Sequence, residues 1–294
     1  MPKAVVRSML YIPGNNPGMI QQAPVFGADS ILLDLEDAVA LSEKDAARHL
    51  VCGFLRTLDF GDMLVTVRVN GADTPFFAED LRRVVPCRPD AIRLPKCSSP
   101  EDVRAAEALL AEIEAQNGME PGTVKIHAML ETARGIAEAG TVATCSPRVT
   151  ALTLGGQDLT ADMGVEKTRE GDELFVARSL VALAARAAGI DAFDTIWADV
   201  NDNEGLLEET RRVVGLGFTG KAAIHPGQIS WIHRAFVPDA KKVAAAERIV
   251  EAAAAAEREG RGVVSVDGRM VDAPVVRRAR HTLDMARLAE LEVE

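Results

Sequence analysis

Lys125-Ile-His-Ala-Met-Leu-Glu-Thr-Ala-Arg134 and Ala151-Leu-Thr-Leu-Gly-Gly-Gln-Asp-Leu159 are the stretches that decide the fold. Each is a short apolar run readable as a buried strand, closing on a carboxylate, Glu131 or Asp158, and followed by a helix-like segment. In a parallel α/β protein the C-terminal ends of the strands share one rim, where active sites gather. Two carboxylates there can share a hard divalent cation such as Mg2+ and leave coordination sites open for substrate oxygens. They can equally cap the helices that follow, as acidic residues often do. Read alone, the pair fits both roles.

Outward from this pair, the same cycle recurs in both directions. Ser8 to Ile12 is an apolar strand that stops at Pro13-Gly-Asn-Asn-Pro-Gly18, a run of turn residues. Ser30 to Leu33 is a second strand, ending in Asp34-Leu-Glu-Asp37, and Ser42 with Asp45 opens a helix toward Leu58. Leu64 to Asn70 is rich in β-branched residues and reads as the third strand; Ala91 to Lys96 is the fourth. Ser99-Pro100-Glu101 starts a helix with proline at its first position. Beyond Asp158, a helix over Asp172–Ala188 stops at Gly189, Phe193 to Val200 is the seventh strand, and Lys221 to His225 is the eighth.

Strict alternation implies a parallel sheet with helical crossovers, and eight cycles match a (β/α)8 TIM barrel over residues 1–236. The rival, an open doubly wound sheet, calls for a glycine fingerprint after the first strand, and Pro13–Gly18 does not have the G-x-G-x-x-G spacing. A C-terminal helical and hairpin extension is expected over 237–294. It comprises an Ala-rich charged helix, a hairpin turning at Asp267-Gly268, and a last helix from Ala273. Such an extension can cover the mouth of its own barrel or a neighbour's.

Composition narrows the partners. A net charge of -11 argues against a nucleic-acid surface or an anionic membrane. The four cysteines form no C-x-x-C pair, so a reducing compartment, the cytoplasm, is expected. The first residues lack the apolar core of a signal peptide, and no run of about 20 apolar residues offers a membrane span.

The strand ends bring acids and cations to one rim: Asp34, Glu36, Asp37, Arg68, Lys96, Glu131, Asp158, Asp199 and His225. The acids can hold Mg2+, and Arg68 can grip a carboxylate with both prongs. Together they suit a small oxygen-rich acid. Asp34, Glu36 and Asp37 would orient Arg68 or metal-bound water, and Lys96 would act through its charge. His127, inside a strand, reads as packed, and Trp197 and Trp231 as core.

Seven ordered motifs carry a resemblance: Arg7-Ser-Met-Leu-Tyr-Ile-Pro-Gly14, Leu33-Asp-Leu-Glu-Asp-Ala-Val39, Val67-Arg-Val-Asn70, Arg93-Leu-Pro-Lys96, Leu130-Glu-Thr-Ala-Arg134, Gly155-Gly-Gln-Asp-Leu159 and Ala223-Ile-His-Pro226. They run nearly the length of the chain and resemble the citrate lyase β-subunit family of the HpcH/HpaI aldolase/citrate lyase superfamily, which includes malyl-CoA and citramalyl-CoA lyases. The resemblance implies a barrel with a C-terminal extension and a Mg2+-dependent (or Mn2+-dependent) carbon–carbon lyase. Its substrate would be a 3-hydroxyacyl-CoA thioester of a hydroxy-dicarboxylic acid, cleaved to acetyl-CoA and a 2-oxo acid, or formed in reverse. It implies Glu131 and Asp158 as metal ligands, Arg68 as the substrate-binding arginine, and Asp272, in Gly268–Pro274, as an acid–base residue acting in its own or a neighbouring subunit of a homotrimer or hexamer. Three alternatives stand beside this reading: a citryl-ACP lyase β subunit, a metal-dependent aldolase of free acids, and a non-catalytic oligomeric scaffold.

Overall fold

Period-two alternation builds the barrel. In the strand Lys125–Leu130, Ile126, Ala128 and Leu130 pack outward into the helical layer, while His127 and Met129 take the opposite face. Ile92 and Leu94 likewise face the helices and leave Arg93 inside. The computed structural model describes residues 5–258, 260 and 262–290 of the 294. Its strands are β1 (Ser8–Pro13), β2 (Ser30–Asp34), β3 (Leu64–Arg68), β4 (Ala91–Leu94), β5 (Lys125–Leu130), β6 (Val149–Leu154), β7 (Asp191–Asp194) and β8 (Gly220–Ala223). They form a closed parallel barrel in chain order, with β1 pairing to both β2 and β8.

The crossover helices are α1 (Pro17–Gln22), α2 (Lys44–Thr57), α3 (Phe77–Val84), α4 (Pro100–Gln116), α5 (Ala133–Ala137), α6 (Ala139–Thr144), α7 (Gly156–Met163), α8 (Phe175–Ala188), α9 (Asn203–Leu216) and α10 (Ile229–Phe236). The helix start expected from Ser42 and Asp45 is not made, since a 3-10 turn covers Leu41–Glu43 and α2 begins at Lys44 with Glu43 at its N-cap and no side-chain cap. Two other helix ends follow the expected chemistry. Ser99 and Asp102 form a capping box on α4, and Gly189 ends α8 in the left-handed region at φ 70.

Inside the barrel, the floor toward the strand N-termini is apolar, built from Val6, Met9, Leu32, Ala151 and Phe193. Beside it lies a closed ionic network joining β7, β8, α8 and α9. Lys221 Nζ donates to Asp194 Oδ2 and Glu209 Oε1, each at 2.7 Å, and Arg178 bridges Asp194 at 2.9 Å and Glu209 at 3.0 Å. Lys221 is fully buried. Burial alone would raise the Asp194 carboxyl, but Lys221 and Arg178 hold it below its ordinary range.

Five strands, β3, β4, β6, β7 and β8, end earlier than the sequence suggests, and two of them move a candidate residue. β6 stops at Leu154, so Asp158 lies on α7 rather than at a strand end. β7 stops at Asp194, and the residues to Val200 run on as loop.

The chain divides into two compact units, Met1–Ile232 and His233–Glu294. In the second, α11 (Ala240–Arg258) packs on α12 (Ala273–Glu290), and β9 (Val264–Val266) pairs antiparallel with β10 (Arg269–Val271). Asp267 and Gly268, both at positive φ, make the tight turn between them. No helix among the described residues is long and apolar enough to cross a membrane.

Candidate active site

Glu131 directly follows β5 and is 1% exposed. Its Oε1 accepts the Lys96 backbone N–H at 2.6 Å, while its Oε2 is buried with no hydrogen-bond partner. Lys96 adopts φ 51, a left-handed conformation that costs a side-chain-bearing residue energy, and its N–H is spent on this carboxylate. Gly155 closes over the other oxygen. A Cβ there would fall against Glu131 Oε2 and Cβ, so the backbone passes only because residue 155 is glycine. Burial, then the negative charges of Asp158 and Glu36, push the Glu131 carboxyl up to about 8.

Asp158 is half-buried in the first turn of α7 and lines a cavity of about 450 Å³ with Tyr11, Asp34, Arg68, Gly155 and Thr195. Glu131 is not a helix cap, because Thr132 caps α5 by accepting the Gly135 N–H at 3.0 Å. Nor does Asp158 hold the cap position of α7, which belongs to Gly155. The two carboxylates are close enough for the charge of Asp158 to raise the Glu131 carboxyl.

Arg68 ends β3, and its fork is already filled. Nε donates to Asp34 Oδ1 at 2.7 Å and Nη2 to Asp34 Oδ2 at 2.6 Å. Nη1 lies 2.9 Å from Glu36 Oε2, an ion pair whose angle falls short of a hydrogen bond, and 3.5 Å from Asp37 Oδ2. A guanidinium carries five N–H groups, so one on Nη2 remains for a ligand. The two-pronged grip on a substrate carboxylate expected from the sequence is thus held by Asp34. Burial pushes the Glu36 carboxyl up to about 7 against the pull of Arg68. Lys96 Nζ sits 3.3 Å from Glu36 Oε1; burial opposes its charge, but Glu36, Asp37 and Glu131 together outweigh burial and raise the amine. An amine held protonated suits an electrostatic role rather than a Schiff base.

Asp272 belongs to the second unit. Its Oδ1 accepts the Val275 N–H at 3.2 Å, capping α12, and it lines a cavity of about 320 Å³ with Arg277 and Arg280. Asp199, placed on the rim by the sequence reading, is an exposed loop residue bonded to the Asn201 N–H. His225 accepts the Gly227 N–H at 3.1 Å, and His127 is buried within β5.

Two residues escaped the sequence reading. Arg93, on β4, is fully buried, and no carboxylate bonds to it. Its Nη1 donates to the Tyr11 hydroxyl at 2.8 Å, its Nη2 lies 3.5 Å from His127 Nδ1, and its Nε has no partner. Tyr11, on β1, lies between two guanidiniums, with Arg68 at 5.5 Å and Arg93 at 5.8 Å from its ring centre. The available signal was a charged residue inside the apolar strand Ala91-Ile-Arg-Leu94.

The rim therefore gathers five carboxylates, Asp34, Glu36, Asp37, Glu131 and Asp158, against two cations, Arg68 and Lys96. No group of three or more His, Cys, Asp or Glu that could hold a metal occurs among the described residues. A cation on Glu131 and Asp158 would take its other ligands from water and substrate, a donor set that suits Mg2+. The orphaned Oε2 of Glu131 fits that role.

The HpcH/HpaI aldolase/citrate lyase family matches residues 7–226. The citrate lyase subunit beta of Leuconostoc mesenteroides subsp. cremoris is 42% identical over 280 residues, covering 95% of this chain and 93% of the relative. A (3S)-malyl-CoA thioesterase of Cereibacter sphaeroides is 36% identical over 280 residues, covering 95% and 94%. Among solved structures, protein CitE from Mycobacterium tuberculosis in complex with magnesium, acetoacetate and coenzyme A superposes with a TM-score of 0.81. That structure is 32% identical, over 96% of this chain and 98% of the other. With a matching barrel and aligned sequence over nearly its whole length, the chain belongs to the HpcH/HpaI aldolase/citrate lyase family.

Proposed function

We propose that this chain is a Mg2+-dependent carbon–carbon lyase that splits a 3-hydroxyacyl thioester of a hydroxy-dicarboxylic acid into an acetyl thioester and a 2-oxo acid, or joins them. The observation that carries the reading is the buried, unpartnered Glu131 Oε2 beside Asp158. Similarity to a structure holding magnesium and coenzyme A supports it.

Glu131 and Asp158 would hold the metal, with Mn2+ as an alternative ion. When bound, Mg2+ supplies charge that polarises substrate oxygens. The C2–C3 bond breaks as the 3-hydroxyl gives up its proton to water, balancing the proton later taken up at C2. The electron pair passes to C2 and is spread onto the thioester oxygen as an enolate. Asp34, Glu36 and Asp37 fix Arg68 at the wall of the cavity, where an N–H not bonded to them would bind a substrate oxygen. Lys96 holds Glu131 through its backbone and adds positive charge through its amine. Asp272 is proposed as the acid that protonates C2, and as the base in the joining direction. The second unit would act as a lid in a cytoplasmic homotrimer or hexamer.

A second reading, the β subunit of a citrate lyase, is favoured by the higher identity to such subunits than to the malyl-CoA enzyme. Both readings use the same bond cleavage. The deciding experiment offers malyl, citramalyl and citryl thioesters, on coenzyme A and on an acyl-carrier protein, with Mg2+. Release of an acetyl thioester with glyoxylate, pyruvate or oxaloacetate supports the lyase. Release of free malate and coenzyme A would make the chain a thioesterase, and no turnover of any thioester would reject both readings.

A further inference from the structure

We propose that the Tyr11 hydroxyl is a substrate-binding group of this cavity, donating its hydrogen bond to an oxygen of the small oxo-acid fragment, with Arg93 as the residue that positions it. The inference rests on the lyase reading for the identity of the ligand, but its geometry stands apart from that reading.

Arg93 has only donors, so the 2.8 Å contact makes the Tyr11 oxygen the acceptor. The phenolic proton must then leave in another direction. Tyr11 lines the 450 Å³ cavity together with Asp158, Arg68 and Thr195, where a ligand oxygen would be placed to accept it. Arg93 is 0% exposed and bonded to no carboxylate, in contrast to Arg68, whose donors are spent on Asp34, Glu36 and Asp37. A buried cation with no carboxylate in contact is costly, and an anion arriving at the cavity is a natural counter-charge. The phenol stands between the two: it touches Arg93 on one side and the cavity on the other, and a phenol polarised by a guanidinium is a stronger donor. The rim is otherwise crowded with carboxylates, which repel an oxo acid. A neutral donor backed by a buried positive charge gives that acid a foothold that Arg68, its fork held by Asp34, cannot supply alone. The reactive end of a thioester must meet the metal site, whereas the bulk of coenzyme A exceeds a cavity of this size, so the floor beside Tyr11 suits the small fragment.

Tyr11 is the single tyrosine of the chain, which gives a direct probe. Full-length protein carrying tyrosine labelled with carbon-13 at Cζ shows one tyrosine resonance. With Mg2+ present, oxaloacetate should shift it and coenzyme A alone should not. In calorimetry, Tyr11→Phe should weaken oxaloacetate binding by about tenfold, the loss expected for one hydrogen bond to a charged group. Binding of Mg2+ and of coenzyme A should stay as in the wild type. In turnover, the loss should appear in KM for the oxo acid and not in KM for acetyl-CoA. Arg93→Met should match Tyr11→Phe, and Arg93→Lys, which keeps a charged donor, should recover most of the affinity. If the arginine variants do not fold, Tyr11→Phe decides. Unchanged oxaloacetate affinity in Tyr11→Phe, a still resonance, or loss of coenzyme A binding instead would each overturn the assignment, as would a wild type that binds no oxo acid. Weakened binding in Tyr11→Phe alongside a wild type that cleaves no thioester would uphold the contact while rejecting the lyase.

Discussion

One barrel contains two clusters of buried charge that are built on opposite terms. Between β7 and β8, Arg178 and Lys221 face Asp194 and Glu209, two cations against two carboxylates, and all four side chains are at most 5% exposed. At the mouth, the carboxylates of Asp34, Glu36, Asp37, Glu131 and Asp158 outnumber Arg68 and Lys96. The first cluster holds Asp194 below its ordinary range, whereas the second raises Glu36 to about 7 and Glu131 to about 8. Asp194, Glu36 and Glu131 are all buried, so the charges around each carboxyl make the difference. A balanced cluster ties helices to strands. An unbalanced one keeps a cost in the empty protein that an arriving cation relieves, as perturbed groups in a cavity often do.

That contrast can be broken at several points. The largest effect belongs to the mouth. Glu131→Ala or Asp158→Ala should cut Mg2+-dependent turnover by about a thousandfold, a barrier change of about 4 kcal/mol, without loss of folding. Near-normal turnover in steady-state assays would remove both from the metal site. At the balanced cluster the effect should move from activity to stability. Lys221→Met leaves Asp194 and Glu209 with one cation and should cost about 3–5 kcal/mol in denaturant unfolding, with turnover per folded molecule little changed. Gly155→Ala tests the close approach to Glu131. It should cost about 1–3 kcal/mol from overpacking and weaken Mg2+ binding as well. If the variant binds Mg2+ as the wild type does, the packing over Oε2 is incidental.

The pH response is smaller and separates the clusters by sign. Burial and the neighbouring carboxylates push the Glu131 carboxyl up to about 8 in the folded chain from an ordinary 4.5, so the folded state holds the extra proton between them. Its contribution to the metal-free protein is complete below the lower value and is lost as pH rises through about 8. Thermal melts of metal-free protein should therefore fall more steeply from pH 6 to 9 than those of Glu131→Gln, and Mg2+ should restore more stability as pH rises. The smallest effect is expected at Asp37, which is 57% exposed on its side chain and 3.5 Å from Arg68. Asp37→Asn should change stability by no more than about 1 kcal/mol.

Much of this was legible in the sequence because the barrel repeats one rule. Short β-branched runs followed by amphipathic helices gave the eight strands and their order, since a parallel barrel pairs neighbours in sequence. Strand ends were harder. Thr153-Leu154-Gly155-Gly156 continues smoothly on paper, yet the close approach of Gly155 to Glu131 turns the chain into α7 and moves Asp158 onto a helix. Partners distant in sequence were harder still. Arg68 could be seen as a rim cation, but that Asp34 occupies its fork depends on the register of β2 against β3. Arg93 was passed over although it is a charge inside an apolar strand; that Tyr11 receives it depends on how side chains from β1 and β4 meet across the barrel interior. Asp272 was singled out through a short motif alone, and in the structure its backbone and carboxylate cap α12.

The most direct test of the unbalanced mouth is a calorimetric titration of Mg2+ into metal-free wild type and into Glu131→Gln at pH 8.5, above the value to which the Glu131 carboxyl is pushed. One site per chain in the wild type, lost in the variant while its fold persists, is the predicted result. Equal binding in the two proteins would contradict it.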